Sequence, residues 1–223
     1  MTTTAILGLG NMGKGLAGRL AGRTNLVLGA RDPGKDAALG KAFNAPVVSF
    51  AEAIAKADIV ILALPYGAAL ETAAHPALAG KVVVDISNPV KSDYSGLALG
   101  HTTSAAEEIQ KAAPAAKVVK AFNTIFAGVF AAPDTDTAAV PVFVAGNDED
   151  AVAKVTGLAK TAGFAVENAG KLDAARLLEP VGMLNIRFGY GLRPRHGDRA
   201  GLAQARGIST NAAQTERAAR GRP

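Results

Sequence analysis

The residues with the plainest chemical meaning stand at the start of the chain. Thr4-Ala5-Ile6-Leu7 is a short apolar run that passes directly into Gly8-Leu9-Gly10-Asn11-Met12-Gly13, and the helix-compatible stretch Lys14–Arg23 follows. Strand, glycine turn and helix in that order make a phosphate cradle: Gly8 permits the tight turn, Gly10 lets a pyrophosphate approach the backbone, and Gly13 allows close helix packing. The free amides and dipole of the helix N-terminus then face the negative charge. Two other readings use the same residues. One is a tight turn that binds nothing. The other is a triphosphate loop, nearly spelled by Gly8, Gly13 and Lys14 with Val82–Asp85 as its magnesium strand. That loop needs a hydroxyl after the lysine to ligate magnesium, and Gly15 has none, so the dinucleotide reading is preferred.

The end of the second strand bears on which dinucleotide. An NAD site places a carboxylate about 20 residues beyond the glycines, whereas this chain reads Gly29-Ala30-Arg31-Asp32 with Lys35 a turn later. Arg31 offers a planar fork and Lys35 a point charge, a pair suited to the 2′-phosphate of NADP. The alternative is a surface Arg–Asp turn capping a helix. In either case Asp32 is expected to point away as a cap. His75, His101 and His196 have no partners at ligand spacing and the chain has no cysteine, so no metal site, thiolate nucleophile or disulfide framework is expected.

The elements that must hold these residues follow from periodicity. Apolar runs alternate with alanine-rich stretches about every 25–30 residues, the rhythm of strand–helix–strand units. The expected strands are Thr4–Leu7, Leu26–Leu28, Val47–Val48, Ile59–Leu64, Val82–Ile86, Val118–Phe122, Val142–Val144 and Ala165–Glu167. The fold class is therefore α/β: a Rossmann-type, doubly wound, mainly parallel sheet with helices on both faces and a small C-terminal extension. Ser49 with Glu52 and Ser104 with Glu107 predict capping boxes opening helices over Phe50–Lys56 and Ala105–Ala112. A last amphipathic segment, Leu172–Phe188, is expected to pack Leu177, Val181, Leu184 and Phe188 onto the sheet, with Pro180 kinking or restarting it.

Composition narrows the class further. The 223 residues are 49% hydrophobic and 19% charged, enough for one soluble domain with a sizeable core. The net charge of +5 lies wholly after Leu192, where seven Arg face Asp198 and Glu216. The neutral remainder argues against nucleic acid or an acidic membrane as partner. No apolar stretch approaches a membrane span and the N-terminus lacks signal-peptide character, so the chain is expected to be cytoplasmic. Residues 1–192 are read as an NADP-binding domain with a C-terminal cleft-lining portion, and 193–223 as a basic, disordered or atypical tail.

Taken together, Gly-Leu-Gly-Asn-Met-Gly-Lys-Gly (8–15), Gly-Ala-Arg-Asp-Pro (29–33), Ala-Leu-Pro-Tyr (63–66), Ser-Asn-Pro-Val (87–90), Lys-Ala-Phe-Asn-Thr (120–124) and Arg-Leu-Leu-Glu-Pro (176–180) carry a resemblance. Over residues 4–192 the chain resembles the coenzyme F420-dependent NADP oxidoreductase family. The resemblance implies a dimer in which NADP(H) and the deazaflavin F420 lie face to face in one cleft. By position it implies that Leu9, Asn11 and Met12 contact the pyrophosphate and Arg31 and Lys35 the 2′-phosphate. Leu64, Pro65 and Tyr66 would meet the adenosine ribose, and Asn88 and Pro89 would border the nicotinamide. Asn123, Thr124 and Ile125 with Gly182, Met183 and Leu184 would line the deazaflavin side. Without the resemblance, Asn123-Thr124 reads as a turn capping its own backbone, and Met183 and Leu184 read as core.

Hydride transfer between two stacked rings needs positioning and exclusion of water, so no catalytic acid or base is named. Other readings stand beside this one. The acceptor is F420 or a flavin used for ferric or quinone reduction, as in the similar cytosolic domain of membrane ferric reductases. A β-hydroxyacid dehydrogenase or imine reductase would need a further helical domain for which the chain leaves little room. A non-catalytic NADP sensor would bind NADPH without oxidising it. The tail after Leu192 departs from the apolar end usual in the family and so bears on the deazaflavin side.

Overall fold

The apolar runs form strands because β-branched side chains pack well on a pleated surface. In the computed structural model, which describes residues 2–191, they are β1 (Thr3–Leu7), β2 (Asn25–Gly29), β3 (Val47–Val48), β4 (Ile59–Leu62), β5 (Val82–Asp85), β6 (Lys117–Lys120), β7 (Pro141–Gly146) and β8 (Ala165–Gly170). The helices are α1 (Asn11–Leu20), α2 (Ala37–Phe43), α3 (Phe50–Lys56), α4 (Tyr66–Ala73), α5 (Ala105–Ala112), α6 (Asp134–Thr137), α7 (Glu149–Thr161) and α8 (Ala175–Ile186). One sheet holds these strands in the order β3-β2-β1-β4-β5-β6-β7-β8. It is parallel except where β6 meets β7, as the α/β reading requires.

Alternate strand residues feed two cores. Ile6, Leu28, Ile61, Val84 and Val119 pack with Leu16 and Leu20 of α1 and Val155 and Leu158 of α7. Leu7, Val27, Val60, Val83 and Val118 pack on the other face with Ile54 of α3, Ala69 and Ala73 of α4 and Ile109 of α5. Both faces are therefore dry, which is why these strands read as unbroken apolar runs. Register is what builds the site. Leu7 pairs with Leu62, Leu62 with Asp85, and Asp85 with Lys120, so four parallel strands end level and their following loops open on one side.

Several boundaries differ from expectation. The fourth strand stops at Leu62, and Ala63 and Leu64 pack against the glycine turn at Gly8 instead of continuing it. The box at Ser49 is complete, with the Ser49 amide donating to Glu52 at 3.0 Å and the Glu52 amide to Ser49 Oγ at 3.3 Å. At Ser104 only half forms: the Glu107 amide reaches Ser104 Oγ at 3.2 Å, while the Glu107 carboxylate binds the Ser104 hydroxyl and Arg176. A short helix, α6, lies in a stretch where the apolar pattern predicts no element. The helix α8 continues through Pro180 without a restart and presents the opposite face to the one expected. Leu177 is 72% exposed and Leu184 42%, whereas Leu178, Glu179, Gly182, Met183 and Asn185 are buried. The reason is its seat: α8 crosses the polar end of the sheet, where carboxylates and amides need partners, rather than the apolar face. The tail expected over 193–223 lies outside the described residues. Among the described residues no helix is long and apolar enough to cross a membrane.

Candidate functional site

The glycine turn has the geometry its spacing implies. Gly8 has φ +93°, where a side chain is strained, and a Cβ on it would stand 2.5 Å from the Ala63 carbonyl oxygen. Its amide donates to the Gly29 carbonyl at 3.1 Å, which ties the turn to β2. A Cβ on Gly13 would strike the Gly8 carbonyl oxygen, so α1 packs against the turn only through glycine. Gly10 differs: nothing lies within 4 Å of its missing Cβ. It caps α1 without a side-chain hydrogen bond, and no acidic residue occupies the first turn. The first amides of α1 thus face open space with the positive end of the helix dipole behind them, a cradle that fits a pyrophosphate. The triphosphate alternative fails on packing as well as chemistry. A Cβ on Gly15 would stand 2.8 Å from Phe130 ring and Cβ atoms, leaving no room for a serine or threonine hydroxyl.

At the end of β2, Ala30 is buried and Arg31 is exposed. Asp32 caps its own turn, accepting from the Lys35 amide at 3.4 Å, and pairs with the Lys35 ammonium at 3.3 Å. The expected N-cap role does not fall to it, since α2 is preceded by Asp36 at the cap position; the Asp32 carboxylate instead occupies Lys35. Arg31 is then the cation with its fork available at the strand end.

A cleft of about 510 Å³ opens over the level strand ends. Its walls come from Gly10, Asn11 and Met12, from Ala63, Leu64 and Pro65, from Ile86, Ser87 and Asn88, from Asn123, Thr124 and Ile125, and from Gly182, Asn185 and Ile186. The structure therefore brings together Gly10, Asn11, Met12, Leu64, Pro65, Asn88, Asn123, Thr124 and Ile125 from loops far apart in the chain. Other expected residues sit elsewhere. Gly8 and Gly13 lie beneath the cleft as turn formers, and Leu9 packs partly buried against the core. Pro89 is buried behind Asn88. Tyr66 begins α4, half-buried, its hydroxyl pushed up by burial and by the charges of Glu108, Glu179 and Asp85. Met183 is buried and Leu184 points out to solvent. At 100° per residue, Gly182, Asn185 and Ile186 are the residues α8 turns to the cleft instead.

The cleft floor is made of side-chain amides. Asn88 Nδ2 donates to the Asn123 carbonyl and Asn123 Nδ2 donates to Asn88 Oδ1, both at 2.9 Å. Asn123 Nδ2 also reaches the Leu178 carbonyl at 2.8 Å, and Asn185 Nδ2 the Thr124 carbonyl at 3.1 Å, so α8 is sewn to the loop after β6. Phe122 aims that loop: it is buried and holds φ at +59°, a costly conformation for a bulky residue. A Cβ on Gly182 would collide with the Asn88 amide. The Ser87 hydroxyl and the side-chain oxygens of Asn123 and Asn185 have no protein partner. Unpartnered buried polar atoms gathered under one cleft are unusual for packing alone.

Sequence reasoning passed over several of these groups. Asn185 and Ile186 carry no motif. Tyr94, 68% exposed with φ +58°, stands at the cleft rim and no pattern marked it. Lys120 has no local signature beyond its place in Lys-Ala-Phe-Asn-Thr, yet it is wholly buried between Asp85 and Glu179. Burial pushes the Glu179 carboxyl up against the opposing pull of Lys120.

Comparison with known proteins agrees with this geometry. The sequence profile of the family described as NADP oxidoreductase coenzyme F420-dependent matches residues 3–89, which span β1 to the start of the amide floor. The F420-dependent NADP reductase of Methanocaldococcus jannaschii is 32% identical, over 85% of this chain and 96% of that protein. The metalloreductase STEAP3 of Rattus norvegicus is 33% identical over 79% of this chain, which spans about a third, 35%, of that longer protein. A crystal structure of a protein from Arthrobacter sp. FB24, described as a putative F420-dependent NADP-reductase, superposes with a TM-score of 0.71 at 33% identity. That match covers 80% of this chain and 89% of the other. With its glycine cradle, its strand-end cation and a relative matched over nearly its whole length, the chain belongs to the coenzyme F420-dependent NADP oxidoreductase family.

Proposed function

We propose that the protein moves a hydride between NADPH and a second flat redox ring, the deazaflavin F420 or a flavin, held side by side in the cleft. The observation that supports this most is the continuity of one cleft from the α1 cradle to the amide floor and α8. When bound, the nicotinamide supplies or takes up the hydride and the second ring is its counterpart. The chain's own residues bind and orient. The first amides of α1, at Asn11 and Met12, hold the pyrophosphate, and Arg31 grips the 2′-phosphate with Lys35 as a weaker second charge. Leu64 and Pro65 border the ribose, Asn88 fixes the nicotinamide end, and Asn123, Thr124 and Ile125 with α8 form the wall for the second ring. The proton that must accompany the hydride to the second ring is taken from solvent, in keeping with a floor of amides rather than a paired acid and base. A flavin is included because metal reduction takes single electrons, which a flavin divides from a hydride, and part of a metalloreductase is similar to this chain. We further take the protein as a cytoplasmic homodimer, with the outward Leu177 and Leu184 of α8 as the face for a second copy.

The test is NADPH oxidation followed by absorbance in parallel reactions with F420, FMN, FAD and no acceptor. Turnover with F420 or a flavin above the acceptor-free rate is expected. Binding of NADPH without turnover on any of them would replace the enzyme with a nucleotide sensor.

A further inference from the structure

One wholly buried cation has no part in the binding roles proposed above. The side chain of Lys120 is wholly buried at the end of β6. Its ammonium has three protons and three acceptors: Asp85 Oδ2 at 2.7 Å, Glu179 Oε1 at 2.8 Å and the Ser87 carbonyl at 2.5 Å. Each acceptor belongs to a different piece of the cleft. Asp85 ends β5 and pairs in register with Lys120, Ser87 begins the turn that carries Asn88, and Glu179 lies on α8. The surplus negative charge is met elsewhere. Glu179 also accepts the amides of Ala105 and Ala106, at 3.0 and 3.3 Å, so the positive end of α5 faces it. Asp85 Oδ1 accepts the Ser87 amide at 2.8 Å.

A buried ion cluster of this kind contributes little to stability beyond what apolar side chains of equal volume would contribute. What it does supply is geometry, and two routes run from Lys120 to one residue. Through the Ser87 carbonyl it fixes the backbone that carries Asn88. Through Glu179 it fixes α8, whose Gly182 has no side chain and so lets the helix rest against the Asn88 amide. Asn88 is thereby held from below and from above.

We propose that Lys120 is a positioning residue: by clamping the 87–89 turn and α8 together it sets Asn88, and with it the end of the cleft that receives the nicotinamide. The proposal rests on the NADP reading. The two are separated by titrating NADPH and 2′,5′-ADP calorimetrically, because 2′,5′-ADP occupies only the adenosine and 2′-phosphate end. Wild-type protein is compared with Glu179→Gln and Lys120→Met. Because Lys120→Met strands two buried carboxylates, the joint variant Asp85→Asn/Lys120→Met/Glu179→Gln replaces the whole cluster with neutral groups of similar size. The expected result is 2′,5′-ADP affinity within about twofold of wild type and NADPH affinity weakened about three- to thirtyfold, the range of coupling through a packed network. The fluorescence of bound NADPH, which reports on the nicotinamide ring, should fall in parallel. Equal weakening of both ligands would make Lys120 merely structural and overturn the proposal, as would NADPH binding unchanged in the joint variant. Wild-type protein that binds neither ligand would overturn the NADP reading and the proposal with it.

Discussion

The two glycines at positions 10 and 13 belong to one motif but do different work, and substitution separates them. Gly13→Ala drives a methyl group into the Gly8 carbonyl, so a loss of about 2 kcal/mol or more in denaturant unfolding is expected, as for other overpacked sites. Gly10→Ala meets nothing in the free protein. Its stability should fall by no more than about 1 kcal/mol, the cost of alanine at a helix N-cap, while NADPH binding weakens because the methyl group occupies the pyrophosphate's path. Arg31 gives a third test. Arg31→Ala should weaken NADPH much more than NADH, by about 1.5–3 kcal/mol for a charged hydrogen bond; equal loss for both would remove the 2′-phosphate from Arg31. These residues were legible because their chemistry is local, a turn and a strand end read within a few positions. Lys120 was not, since its carboxylate partners lie 35 and 59 residues away and meet it only through strand register and α8.

Among the elements, most strands could be drawn to within one or two residues, because strands covered on both faces are continuous apolar runs. The helix α8 shows where that logic fails. Its leucines at 177 and 184 have helical spacing, but periodicity reveals only that an apolar face exists, not which surface it meets. The inward face is chosen by Glu179 and Asn185, whose partners on α5 and on the loop after β6 have no local trace in the sequence. Leu177 and Leu184 are left outward, and the homodimer reading gives them a partner. Leu177→Lys/Leu184→Lys should convert a dimer to monomers in analytical ultracentrifugation without loss of folding; a species of unchanged mass would remove α8 from the interface. The same helix is latched to α5 by Arg176, which bonds Glu107 at 2.9 and 2.6 Å. Those bonds, aided by Ser104, hold the Glu107 carboxyl below its usual value.

For the whole molecule, the carboxylates set the acid limit of stability. Glu52, Asp93, Glu107, Glu108, Asp134 and Asp148 are all held low, chiefly by hydrogen bonds. A group with a depressed folded pKa stabilises above its unfolded value and loses that contribution as pH falls through the folded one. Thermal stability is therefore expected to decline below about pH 4–5, the unfolded carboxylate range, and Arg176→Gln should make the decline shallower by releasing Glu107. Glu179 has the opposite sign: its folded carboxyl is raised, so its contribution is present in acid and lost as pH rises through the folded value. Glu179→Gln should therefore abolish a gain in stability on acidification from neutral pH toward about pH 4–5 in the same melting series, and leave the decline below that range unchanged. The level row of strand ends from Leu7 to Lys120 also carries a consequence for synthesis. A chain emerging from the ribosome delivers β1, β2 and β4, with the phosphate cradle among them, well before β6. Asp85 arrives with β5 as a carboxylate whose ammonium partner is 35 residues behind it, and burying it alone is costly. Protease protection of stalled nascent chains is therefore expected to reach the end of β5 only in chains long enough to expose Lys120, with α8, the last α-helix among the described residues, protected later; protection of β5 in shorter chains would count against this order.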